Sequence, residues 1–276
     1  MFRQRVTSSA LFVPPLVLMV ALGEPWIALG IALVTVLAAW EVFRLLRAAG
    51  YATFPGLGTV FALAVVADAA APTLLAGSGL LLAAIGLILI GAGALQKADP
   101  RDGLATWSAT VFGAFYVSLL VFVVRLGAAV PPLPPEAPVA WLGAERGWIG
   151  LLVLGVWAFD TGAYLVGRQF GRRKFMQHIS PSKTVEGFAG GTVATVLVCA
   201  VLLWLLGQPI VGAIVLGPLV AASAQAGDLV ESMLKRAAGA KDSGTLIPGH
   251  GGVLDRIDSF LFAAPVVTLF VVAYVR

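Results

Sequence analysis

Gly187-Phe188-Ala189-Gly190-Gly191-Thr192-Val193-Ala194-Thr195-Val196-Leu197-Val198-Cys199-Ala200-Val201-Leu202-Leu203-Trp204-Leu205-Leu206 is a run of bilayer length without one charged side chain. A helix that crosses hydrocarbon needs about 20 such residues. In lipid the backbone of this stretch has no water to bond, so it closes on itself as a helix. Comparable runs lie near 26–43, 54–71, 73–95, 104–124, 148–167, 209–227 and 258–275. A shorter one at 8–22 is interrupted by Pro14 and Pro15. Together they predict an all-α, polytopic integral membrane helix bundle of about nine transmembrane helices.

Composition agrees with this reading. Of 276 residues, 59% are hydrophobic and 12% charged, against roughly 45–50% and about 25% in soluble domains. The mean hydropathy of +0.97 makes lipid the expected solvent. A net charge of +4 suits a neighbour of anionic head groups. Nucleic acid is a poor partner, because the cations sit in short loops and not on one soluble face. Cys199, the single cysteine, lies inside an apolar run, which excludes a disulfide framework and a thiolate metal site.

Loop charge sets the expected orientation, since cytoplasmic loops are rich in Lys and Arg. With Arg3, Arg5 and the N-terminus inside, the inside loops carry Arg44 and Arg47, then Lys97 and Arg101. Arg168, Arg172, Arg173, Lys174 and Lys183 follow, and then Lys235, Arg236 and Lys241. Outside loops keep Arg125, Arg146 and the extended proline-rich stretch Pro131–Pro138. The C-terminus then falls outside. Arg3, Arg5 and the small residues Ala21-Leu22-Gly23 also fit a secretory signal; a second apolar run starting near Trp26 favours an uncleaved span. Asp68 reads as a solvated helix end, and Trp26, Trp141 and Trp148 as interfacial anchors.

This organisation predicts N-terminal transmembrane helices over 1–147 and a catalytic membrane region over 148–276, with cytoplasmic polar loops at 168–184 and 231–257. The first polar segment leads from Asp160 through Gly171-Arg172-Arg173-Lys174 to Ser180-Pro181-Ser182-Lys183-Thr184-Val185-Glu186-Gly187. The second holds Asp228, Glu231 and Ser232, then Lys235, Arg236, Lys241 and Asp242, and ends in Pro248-Gly249-His250-Gly251-Gly252-Val253-Leu254-Asp255-Arg256-Ile257-Asp258.

Ionisable groups in membrane segments are costly and mark function. Asp228, Glu231 and Ser232 are spaced to share one helical face, and Asp255 and Asp258 are three apart. Two such pairs of hard oxygens at the inner face suit Mg²⁺, which takes one or two carboxylates and completes its shell with water and phosphate. Lys183, Lys235, Arg236, Lys241 and Arg256 supply charge for a triphosphate and a lipid phosphate. Gly249, Gly251 and Gly252 permit positive φ and close approach of backbone to phosphate. This is equipment for phosphoryl or nucleotidyl transfer. Arg172, Arg173 and Lys174 read equally as topology or phosphate contacts, while Arg44, Arg47, Lys97 and Arg101 read as topology. His250 fits a hydrogen bond to phosphate or backbone; His178 is a loop residue.

The segment Ser232 to Asp258, with Lys235-Arg236, Lys241-Asp242-Ser243-Gly244 and His250-Gly251-Gly252-Val253-Leu254-Asp255-Arg256-Ile257-Asp258, resembles the signature of the phosphatidate cytidylyltransferase family, the CDP-diacylglycerol synthases. Residues 180–187 resemble that family's other polar segment. The resemblance implies a multi-pass enzyme of the bacterial inner membrane with its site facing the cytoplasm. It implies a homodimer that uses CTP, phosphatidate and a divalent cation, Mg²⁺, with K⁺ as a second ion. Carried onto this sequence, Asp228 and Asp255 are metal ligands, with Asp258 a weaker candidate. Lys183 and Lys241 join them as catalytic residues. Ser232, Lys235, Arg236, Asp242, His250, Gly251, Gly252 and Arg256 bind substrate. A CTP-dependent polyprenol or lipid kinase is the nearer rival and a transporter the more distant one, disfavoured because the acids gather at one face.

Overall fold

The computed structural model describes residues 17–71, 78–128, 130–247, 249 and 251–275. Nine α-helices are named below, in chain order: α1 (Trp26–Ala48), α2 (Pro55–Ala70), α3 (Gly79–Ala94), α4 (Pro100–Ser118), α5 (Val121–Ala128), α6 (Ala144–Phe170), α7 (Val185–Leu205), α8 (Ala213–Ala237) and α9 (Leu254–Tyr274). No strand forms among the described residues; two isolated bridges, Lys174 with Thr184 and Ile247 with Gly251, close turns.

Every apolar run from 26–43 onward contains helix among its described residues. Six helices are long and apolar enough to cross a bilayer: α1, α4 continued through α5 to Gly127, α6, α7, α8 with the short turn before it, and α9. Two more, Pro55–Ala70 and Leu81–Ala94, are apolar but shorter. The expected run at 8–22 falls largely outside the described residues, so a total of nine spans is not reached among them. The chain is a polytopic membrane helix bundle.

Helix starts follow local chemistry. Asp99 accepts the amide of Arg101 at 2.8 Å, and Pro100, which has no amide proton to leave unsatisfied, opens α4. Thr184 caps α7 by accepting the amide of Gly187 at 3.1 Å. Pro218 and Pro265 lie inside α8 and α9, as membrane helices tolerate.

The chain divides into two compact units. The first comprises Met1–Val124 with Met233–Ile257, the second Arg125–Ser232 with Asp258–Arg276. In the first, α1 packs on α2 and α4, and α3 packs on α2 and α4. Phe43 is fully buried there, facing Gly58 and Gly113, where a β-carbon would meet its ring. Asp68 proves buried, 2% exposed, and not a solvated helix end.

In the second unit, α6 and α7 form an antiparallel hairpin joined by small residues. Gly147 faces Leu206, Gly191 faces Phe159, Gly162 faces Ala194, and Gly167 lies beside Gly187. Without a hydrophobic driving force between helices in lipid, close backbone approach over small residues is what joins them. Trp148, expected at an interface, is fully buried here, whereas Trp26 and Trp141 are exposed.

A β-carbon on Gly191 would sit 2.8 Å from both the ring and the carbonyl of Phe159. Gly191→Leu is therefore expected to destabilise the protein by about 1–3 kcal/mol, read as a lower melting temperature in detergent. An unchanged transition would contradict this packing.

Candidate active site

Unit one gathers its charges at the start of α9. Positive φ angles at Gly249 (76°) and Gly251 (84°) turn the backbone into that helix, a conformation costly to residues with a β-carbon. Asp255 stands in the first turn. Its Oδ2 accepts the amides of Gly252 (2.8 Å) and Ser243 (2.9 Å), and lies 2.8 Å from the Ser243 hydroxyl. Its Oδ1 pairs with Lys235 Nζ at 2.7 Å, and the two side chains are only 6% and 13% exposed. Four donors thus hold one carboxylate that water barely reaches.

Behind Asp255 stands Glu41 of α1, which the sequence analysis did not single out. Glu41 is completely buried. It accepts the amides of Val253 (3.1 Å) and Leu254 (2.7 Å), and its Oε2 lies 3.0 Å from the Ser243 hydroxyl. The signal was present: an acid within the apolar run 26–43 meets the same intramembrane criterion that selected the later acids. Arg44, one helical turn on and read there as topology alone, donates through Nη2 to the Ser243 carbonyl and lies over Trp40 at 4.9 Å. Gly252 has a reason to be glycine besides phosphate approach. A β-carbon there would run into Glu41 and the Ser243 hydroxyl.

The second unit holds another charged group. Lys183 Nζ pairs with Asp228 Oδ2 at 2.6 Å, each side chain about a quarter exposed (27% and 24%). Gln225 Nε2 donates to the same oxygen at 3.4 Å. Glu186, in the first turn of α7, accepts the amides of Arg172 (3.0 Å) and Arg173 (3.1 Å), which fixes the backbone of that basic turn. Phe175, Val185, Phe188 and Gln225 line a hollow of about 190 Å³. Helices α8 and α9 come close at Gly227, where a β-carbon would meet the Asp258 carbonyl. Asp258 Oδ1 accepts the Ser259 amide at 2.7 Å. Glu231 is fully buried.

The second polar segment, read at 231–257, is irregular only between Ala237 and Leu254. Ser232, Lys235 and Arg236 stand on the last turns of α8. Arg236, Lys241, Asp242 and Arg256 are exposed, with Arg236 Nη1 reaching the Ala240 carbonyl at 3.5 Å. Gly251 lies against Asp255, where a β-carbon would come within 2.6 Å of Oδ2. His250 lies outside the described residues.

No three His, Cys, Asp or Glu side chains gather as a metal-ligand group among the described residues. A hard divalent ion needs only one or two protein carboxylates beside water and phosphate, and each unit is taken by itself. Both contacts of Asp228 fall on Oδ2, leaving Oδ1 open among the described residues. Asp255 Oδ1 has Lys235 as its sole partner among them.

The two ion pairs differ in burial, and their energetics follow. Lys183→Met removes a pair that solvent screens, at a cost of about 1 kcal/mol or less. Lys235→Met strands Asp255 at 6% exposure and is expected to cost about 3 kcal/mol. Equal shifts in melting temperature for the two variants would contradict this ranking.

The profile of the cytidylyltransferase family matches residues 3–274. A phosphatidate cytidylyltransferase of Synechocystis sp. is 37% identical over 98% of this chain and 96% of its own length. The Bacillus subtilis phosphatidate cytidylyltransferase is 50% identical over 40% of this chain and 42% of its own length. An Arabidopsis thaliana relative, phosphatidate cytidylyltransferase 5, chloroplastic, is 42% identical over 64% of this chain and 47% of its own length.

Proposed function

The chain belongs to the cytidylyltransferase family, and on that premise we propose how its residues serve transfer of the cytidylyl group of CTP to phosphatidate. The products are CDP-diacylglycerol and pyrophosphate. The observation that carries the reading is the setting of Asp255: the residues of the family-like segment 232–258 converge on this carboxylate through Lys235, Ser243 and Gly252.

In the proposed reaction a phosphate oxygen of phosphatidate attacks the α-phosphorus of CTP. The new P–O bond forms as the bond from that phosphorus to the bridging oxygen of the β-phosphate breaks, and pyrophosphate leaves with the electron pair. The nucleophile is an anion near neutral pH, so no strong general base is needed. The protein's task is to position two anions and neutralise their repulsion.

Lys235, Arg236, Lys241 and Arg256 supply charge for phosphates in the first unit, and Lys183 does so in the second. Lys241 and Arg256 are exposed and free to swing onto an incoming triphosphate. Ser232, Asp242, His250, Gly251 and Gly252 complete the substrate-binding set. The hollow beside Gln225 offers apolar cover to the lipid. Asp255 in the first unit, and Asp228 and Asp258 in the second, are each proposed as metal ligands from the family resemblance, with Mg²⁺ as the divalent cation and K⁺ as a second ion in this reading. A bound cation supplies positive charge to the phosphate oxygens.

The distribution of Lys and Arg supports a site at the cytoplasmic face of a bacterial inner membrane, where CTP is available and phosphatidate presents its head group. A homodimer is proposed on family grounds alone.

Purified protein in mild detergent, given phosphatidate, Mg²⁺ and CTP labelled with ³²P at the α position, is expected to place label in a chloroform-soluble product with equimolar pyrophosphate. EDTA should abolish this. Label entering lipid from γ-labelled CTP would instead mean kinase chemistry. Asp255→Asn is expected to abolish turnover while the protein stays folded; near-normal activity would remove Asp255 from the site.

A further inference from the structure

Glu41 has no place in the mechanism above, yet it is the most completely enclosed acid near Asp255. It is wholly buried, and its ligands all belong to the segment that carries Asp255. Oε1 and Oε2 accept the amides of Val253 and Leu254, the two residues that immediately precede Asp255. Those amides are among the first in α9, which have no carbonyl partner within the helix. Glu41 therefore sets where α9 begins and, through that, where the Asp255 side chain emerges.

The second link runs through Ser243. Its hydroxyl lies 3.0 Å from Glu41 Oε2 and 2.8 Å from Asp255 Oδ2, bridging the two carboxylates. The Ser243 carbonyl is held in turn by Arg44, one turn along the same helix α1. Two glycines pack closely against this bridge. A β-carbon on Gly244 or on Gly252 would collide with the Glu41 carboxylate. Glu41 thus grips Asp255 from two sides, through the backbone before it and through the hydroxyl beside it. All of these residues lie in the first unit.

We propose that Glu41 is a positioning residue for cytidylyl transfer: it fixes the orientation of the Asp255 carboxylate through Ser243 and the amides of Val253 and Leu254, without touching substrate. The inference rests on the proposed function above. A residue that orients a reacting centre changes kcat more than substrate affinity, since a misplacement of about 1 Å can cost about a hundredfold in rate. A residue that only supports the fold would change stability and the amount of active enzyme.

The test compares Glu41→Gln, Ser243→Ala and the double variant with the wild-type chain in detergent. The readouts are initial rates with α-labelled CTP and phosphatidate, melting temperature and gel-filtration profile. Glu41→Gln keeps the side-chain volume but presents an amide donor where Val253 or Leu254 also donates. The expected result is a loss of at least tenfold in kcat for each single variant, with both KM values within about twofold of wild type. The double variant should be no slower than the worse single one, because both changes break the same link.

Folded Glu41→Gln at wild-type kcat would overturn the proposal. So would a double variant whose losses multiply. Should Glu41→Gln fail to fold, Glu41→Asp, which keeps the carboxyl group but shortens its reach, is read the same way: a folded variant at wild-type kcat overturns the proposal, and the tenfold loss at unchanged KM sustains it. An inactive wild-type protein, by contrast, would defeat the reading of the reaction and not the geometry.

Discussion

Hydrocarbon offers no hydrogen bonds, and the protein is organised around that deficit. Each backbone amide and carbonyl at membrane depth must be bonded within the chain. The helices satisfy this along their length, but their first amides and last carbonyls stay open. Those ends are therefore where polar side chains are needed and tolerated. Asp99 and Thr184 meet the demand at α4 and α7 as caps, and at α9 Glu41 and Asp255 meet it with carboxyl oxygens that accept the first amides.

A carboxylate placed for this reason acquires a fixed direction. Asp255 is held on three edges of one oxygen and faces a lysine with the other. In a region of low water content such an oriented charge acts more strongly than it would in solvent. The site thus grows out of helix-end chemistry. The Lys183–Asp228 pair follows a looser design, with a quarter of each side chain open to solvent.

The apolar runs from 26–43 onward were legible because bilayer length and hydropathy are properties of contiguous residues. The polar segments around Lys183 and Asp255 stood out for the same reason. Glu41 obeys the rule applied to Asp228 and Asp255, but it is a single acid outside both polar segments, and its role depends on distant partners. Its partners lie 202 to 213 residues away. Trp148 differs in the opposite sense: a tryptophan next to Arg146 and Gly147 reads as an anchor, yet it is fully buried. Asp68 was mistaken for a solvated end for a similar cause, since its burial comes from packing in the first unit and not from its neighbours in the chain.

By itself the sequence determined that this chain lives in a membrane as a helix bundle, that its charges cluster in two polar segments, and that one of these carries a cytidylyltransferase signature. Each of those follows from adjacent residues and the solvent they require. Only the tertiary structure decided which acid is gripped and by what. A hydrogen bond between Glu41 and Leu254 depends on where two distant helices come to rest, and distance in space is not encoded in any local run of residues.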